Sequence, residues 1–98
     1  MTINQVKEDK TLTLKVAGRL DTTTVNELED VLNTALEGIT DLVFDFSDLE
    51  YISSAGLRVL LKTQKQIQKS GTMIVRGAND MVLEIFEVTG FNDILTIE

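Results

Sequence analysis

The feature that most limits how this chain can fold is the order of its hydrophobic periods. Short stretches that alternate in period two or run apolar are separated, after the first pair, by stripes of period 3.6. A helix between two strands of one sheet is a crossover, so strands joined in this way lie parallel and the helices pack onto the sheet. The order reads ββαβαβαβ. That order predicts an α/β fold, a mixed sheet of about five strands with helices packed against it.

The first pair is Ile3 to Lys7 and Leu12 to Val16, alternating around Glu8-Asp9-Lys10, which predicts an antiparallel hairpin with one buried face. Thr24 and Glu27 have the spacing of a capping box, followed by the stripe Val25, Leu28, Val31, Leu32, Ala35 and Leu36, with Gly38 placed to end the helix. Leu42 to Phe46 is short and apolar and reads as a central strand, and Ser47 to Ile52 as the loop after it. A second helix starts near Ser53-Ser54, turns Leu57, Leu60, Leu61 and Ile67 inward, and stops at Ser70-Gly71, where glycine can turn left-handed. Met73 to Val75 predicts the next strand. Asn79 is placed to cap a short helix with Val82, Ile85 and Phe86 inward, closed by Gly90 before a last strand, Ile94 to Ile97.

At 98 residues, 43% of them hydrophobic, the chain has room for one domain and one core. It contains no Cys and no His, which excludes thiolate chemistry, imidazole bases and the commonest zinc ligands. Its 16 acidic against 9 basic residues give a net charge of -7, and both nucleic acid and anionic membranes favour clustered cations, so the expected partner is another protein. No apolar run approaches the roughly 20 residues of a membrane span, and Met-Thr-Ile-Asn lacks the basic start of a signal peptide, so a soluble cytoplasmic protein is expected.

The stretch richest in chemistry is Asp45 to Arg58, which joins a central strand to a helix start. Such a junction lies at the carboxyl edge of a parallel sheet, where open α/β folds present ligand-facing groups. Ser53 and Ser54 stand where free backbone N–H groups and the positive helix end favour an anion such as phosphate. Taken by themselves, these residues favour a purely structural role, with one serine capping the helix. Small Ala55 and Gly56 leave the serine hydroxyls uncrowded.

Leu42 to Phe46, the loop Ser47 to Ile52 and the run Ser53-Ser54-Ala55-Gly56-Leu57-Arg58-Val59-Leu60-Leu61 resemble the STAS domain of bacterial anti-sigma-factor antagonists. The resemblance extends to Gly18-Arg19-Leu20-Asp21 and to Phe86 through Ile94, and so makes residues 1–98 one STAS-like domain. It implies a non-catalytic regulator without cofactor or metal, a monomer. Unphosphorylated, such a protein binds an anti-sigma factor that is also a serine kinase; phosphorylation ends the binding and a phosphatase resets it. The acceptor implied is the serine two residues before the motif glycine, Ser54, with Ser53 as runner-up. In the commonest form of the motif Asp precedes the acceptor and Ser or Thr follows it, where this chain has Ser53 and Ala55. The partner-binding residues implied are Asp21, Ser53, Ser54, Ala55, Gly56, Arg58 and Lys62.

Two other readings follow from the same residues. A STAS module can serve as a scaffold without being phosphorylated. Asp21, Asp45 and Asp48, if they converge at one sheet edge, offer a site for Mg²⁺ or an aspartyl phosphoacceptor, although aspartates are also ordinary turn formers. Arg58, Lys62, Lys65 and Lys69 recur at helical spacing as one basic stripe, which is either a solvated face or a docking surface. Tyr51 and Phe91 read as packing residues.

Overall fold

The computed structural model describes residues Met1–Glu98. The elements are β1 (Thr2–Glu8), β2 (Thr11–Leu20), α1 (Val25–Ala35), β3 (Asp41–Asp45), β4 (Leu49–Ile52), α2 (Ser54–Ile67), β5 (Thr72–Arg76), α3 (Asp80–Val88), a 3₁₀ turn (Phe91–Asp93) and β6 (Thr96–Ile97). The sheet runs β1-β2-β3-β5-β6; β1 pairs antiparallel with β2 and every later pairing is parallel, as the crossovers require.

Leu12, Leu14, Val16 and Leu20 of β2 point into a core completed by Leu42 and Phe44 of β3, Met73 and Val75 of β5, and the inward faces of the helices. The Phe44 and Phe46 rings meet at 5.6 Å, so the aromatic stretch at the end of β3 anchors the chain as it leaves the sheet. The buried face of the hairpin belongs to β2 alone, since β1 is an edge strand that exposes every residue but the half-buried Ile3.

Several expectations change. Ser47 to Ile52 is not wholly loop: Leu49–Ile52 form β4, which pairs parallel with Gly18, Arg19 and Leu20 and makes six strands in all. The pairing is reached through a register shift at Gly18/Arg19 and covers few residues, so nothing in the local period announces it. The last strand is only Thr96–Ile97, and Ile94 is exposed. Leu61 is half-buried, while Gly56, Val59 and Thr63 join Leu57, Leu60 and Ile67 on the inner face of α2.

Thr24 occupies the α1 N-cap without capping. Its hydroxyl donates to the Arg19 carbonyl at 2.8 Å and accepts from the Asp21 N–H at 3.0 Å, so no capping box forms with Glu27. Gly38 and Gly90 do adopt left-handed backbone, but Gly71 does not. Gly71 is there because the Thr40 backbone carbonyl occupies the space a Cβ would need, a contact fixed by the 2.7 Å bond from the Thr72 N–H to that carbonyl.

Candidate functional site

Because β2, β3, β4 and β5 are parallel, their carboxyl ends and the connections that follow share one edge of the sheet. Asp21, Phe46, Ser53 and Gly77 each begin one of those connections. Leu20 and Ile52, adjacent in the β2–β4 ladder, form the buried floor beneath the start of α2.

Gly56 fits α2 to that floor. A Cβ at this position would lie 2.7 Å from Ile52 Cγ1 and 2.9 Å from Leu20 Cγ, closer than carbon atoms pack. The glycine therefore lets the first turn of α2 settle onto β2 and β4, a role different from leaving the serine hydroxyls uncrowded. It also holds the two serines in fixed and unequal positions.

Ser53 is the N-cap, with extended backbone, and its N–H is bonded to the Leu20 carbonyl at 2.9 Å. Its hydroxyl oxygen is buried and bonded to nothing, so it does not cap the helix. Ser54, the first helical residue, is exposed. No hydrogen bond within the protein engages the N–H groups of Ser54, Ala55 and Gly56. The first turn of α2 contains no acidic residue, whereas α1 has Glu27 and α3 has Asp80 in the corresponding turn. The positive end of α2 thus has no counter-charge from a side chain of its own first turn.

Arg19, Asp21 and Tyr51 flank this helix start. Arg19 and Tyr51 are cross-strand partners, with the guanidinium 4.5 Å from the ring centroid, and Arg19 Nε lies 3.6 Å from Asp21 Oδ2. Hydrogen bonds from the Thr23 hydroxyl and N–H, with Arg19 close by, hold the Asp21 carboxyl below its ordinary pKa. The Arg19–Tyr51 pair escaped the sequence reading because it depends on the β2–β4 register; tyrosine two residues before the serine pair was its only local signal.

The three aspartates do not assemble. Asp21 is tied to Thr23 and Arg19, Asp45 accepts the Ser47 N–H at 3.0 Å and faces Arg76 at 3.9 Å, and Asp48 pairs with Lys15 at 3.2 Å. No group of three acidic side chains is placed to hold a metal ion. Bonds from the Ser47 backbone and hydroxyl, and then the Arg76 charge, keep Asp45 below its ordinary pKa. A shallow groove between α1 and α2 is lined by Val25, Glu29, Ala55, Arg58, Val59 and Lys62. Tyr51 and Phe91 are half-buried.

The STAS domain matches residues 2–98. The chain is 31% identical over 99 residues to the anti-sigma-B factor antagonist of Staphylococcus aureus, an alignment covering 99% of this chain and 92% of that protein. An anti-sigma factor antagonist from Mycobacterium paratuberculosis shares the fold with a TM-score of 0.89 at 23% identity, over 98% of this chain and 83% of that one. The anti-sigma factor antagonist SpoIIAA in its unphosphorylated form shares it with a TM-score of 0.77 at 16% identity, over 99% and 87%. The chain belongs to the STAS domain family, among its anti-sigma factor antagonists. That is a family of regulatory binding proteins, and no helix here is long and apolar enough to cross a membrane.

Proposed function

We propose that this protein is a cytoplasmic, non-catalytic partner switch, a monomer needing no cofactor. In its unphosphorylated state it binds an anti-sigma factor that is also a serine kinase, and so frees the sigma factor. Phosphorylation of Ser54 ends the binding, and a phosphatase restores it. ATP and the phosphoryl-transfer machinery belong to the kinase.

The observation that carries this reading is the inequality of the two serines. Ser54 is exposed on the first turn of α2 beside unengaged N–H groups, while the Ser53 hydroxyl is buried. A kinase must reach its acceptor, and a phosphate on Ser54 would meet the positive end of the helix, with Arg58 one turn along. Ser53, Ala55, Gly56 and Asp21 serve the same partner surface by shaping it, and Arg58 and Lys62 by charge.

Incubating the protein with ATP and the anti-sigma kinase of its own organism, followed by phosphopeptide mapping, tests the reading. Phosphate on Ser54 that is lost in Ser54→Ala is expected. Phosphate on Ser53 that persists in Ser54→Ala would refute the assignment. Intact binding with no phosphate incorporated would favour the scaffold reading, for which Ser53 in place of the common Asp speaks.

A further inference from the structure

The cations of this acidic chain are unevenly placed. No Lys or Arg occurs from Leu20 to Leu57, and then Arg58, Lys62, Lys65 and Lys69 follow within 12 residues. The first three lie on α2 and Lys69 just beyond its C-cap, Gln68. At 3.6 residues per turn, Arg58, Lys62 and Lys65 fall within about 60° of arc and the whole stripe is about 16 Å long. Ser54 and the half-buried Leu61 lie on the same side of the helix.

All four cations are exposed, and none is in an ion pair. The three ion pairs of the protein use Lys15, Arg19 and Arg76 instead. α2 contains no acidic residue, and Glu29, across the α1–α2 groove from Arg58 and Lys62, forms no ion pair. Like charges three and four residues apart oppose helix formation, so the stripe works against the element that bears it. The helix dipole favours a cation in the last turn, but it disfavours Arg58, which stands near the positive end.

We propose that the outer face of α2, from Ser54 to Lys69, docks against an acidic strip on the surface of the same anti-sigma factor kinase, the four cations supplying the attraction. The inference rests on the proposed partner switch and adds what the partner must present. A protein surface fits better than a polyanion, because an extended nucleic acid or a charged bilayer reaching past the stripe meets a chain of net charge -7. Phosphorylation of Ser54 then places negative charge at one end of the attractive face, opposite the partner's acids.

The test uses the full chain and the anti-sigma factor of its own organism, with association rates measured across a salt series. Lys65→Glu/Lys69→Glu lies away from the serine turn, Lys65→Gln/Lys69→Gln guards against loss of folding, and Lys7→Glu/Lys10→Glu in the hairpin controls for net charge. The stripe reversal is expected to slow association about tenfold and to flatten its salt dependence, the glutamine pair to fall between, and the hairpin control to stay within about twofold of wild type. Equal slowing by stripe and hairpin reversals, or none by the stripe, would overturn the proposal. So would unchanged association with the anti-sigma factor when the stripe reversal abolishes binding to duplex DNA or to phosphatidylserine vesicles. A wild-type chain that does not bind the anti-sigma factor at all removes the underlying partner switch and this inference with it.

Discussion

α2 and α3 leave the same edge of the sheet after parallel strands, and their N-caps have nearly the same backbone, φ -96 and ψ 176 at Ser53 and φ -73 and ψ 172 at Asn79. They use it differently. Asn79 accepts the Val82 N–H at 2.8 Å and donates to the Leu49 carbonyl at 3.0 Å, and Asp80 supplies a negative charge to the first turn. Ser53 accepts nothing, and no acid follows. The third residue of α3 is Val82, fully buried, where the third of α2 is Gly56 with no space for a Cβ. One helix start is finished by its own side chains; the other is fitted tightly to the sheet yet left unsatisfied at its tip. That contrast separates a structural helix start from one able to receive a modification.

The sharpest way to break the contrast is to fill the tip of α2. Phosphorylated Ser54 should lower affinity for the anti-sigma factor about 100-fold or more, roughly 2.7 kcal/mol, because a dianion must be desolvated at the interface. The melting temperature should move by less than about 2 °C, since the helix end stabilises the charge. Calorimetric titration and thermal melts of modified and unmodified protein check both. Unchanged affinity, or a large fall in melting temperature, would sink the mechanism. Ser54→Asp is an imperfect substitute, with one charge and fewer acceptor oxygens.

Next in size is the fit beneath α2. Gly56→Ala forces a methyl against Ile52 and Leu20 and should cost about 1–3 kcal/mol in urea unfolding, with the helix start displaced. Loss below a few tenths of a kcal/mol would show that the floor yields and does not position the serines.

The two caps should then separate. Asn79→Ala loses the bond to Val82 and the bond to Leu49, and is expected to destabilise by about 1 kcal/mol. Ser53→Ala removes a buried hydroxyl that has no partner and should be neutral or slightly stabilising. Equal losses in chemical denaturation would mean that Ser53 caps its helix in solution.

What could be read without coordinates follows the same division between local and distant causes. The Asn79 cap, the inward stripe of α1 and the strands β2, β3 and β5 are local patterns and are found where the periods put them. Thr24 and Glu27 also matched a local pattern, but the Arg19 carbonyl competed for the Thr24 hydroxyl. β4 depends on a partner strand some 30 residues away in sequence and on a register shift, and the Arg19–Tyr51 stack depends on β4. Ser53 and Ser54 are the same residue type side by side, so only the depth at which Gly56 seats the helix tells them apart. Asp21, Asp45 and Asp48 share an edge as the strand order implies, but each is taken by a neighbouring donor or cation.

The smallest expected effect concerns the loop that leads into β4 and α2. Asp45 accepts the Ser47 N–H and faces Arg76, so its folded pKa lies below that of the unfolded chain. A carboxyl with a depressed folded pKa stabilises the protein above its unfolded value, near 3.9, and that contribution disappears as pH falls through the folded value. Asp45→Asn retains an acceptor for the Ser47 N–H but cannot titrate. Wild type should therefore be the more stable at neutral pH, and the difference should shrink below about pH 4. The Asn79 side chain does not titrate, and Asp80 beside it is present in both proteins, so the cost of Asn79→Ala should stay nearly level over the same range. Urea unfolding of the three proteins between about pH 7 and pH 3 makes the comparison. An Asp45→Asn difference that persists undiminished to the acid end would mean that the loop is held by the shape of the side chain and not by its charge.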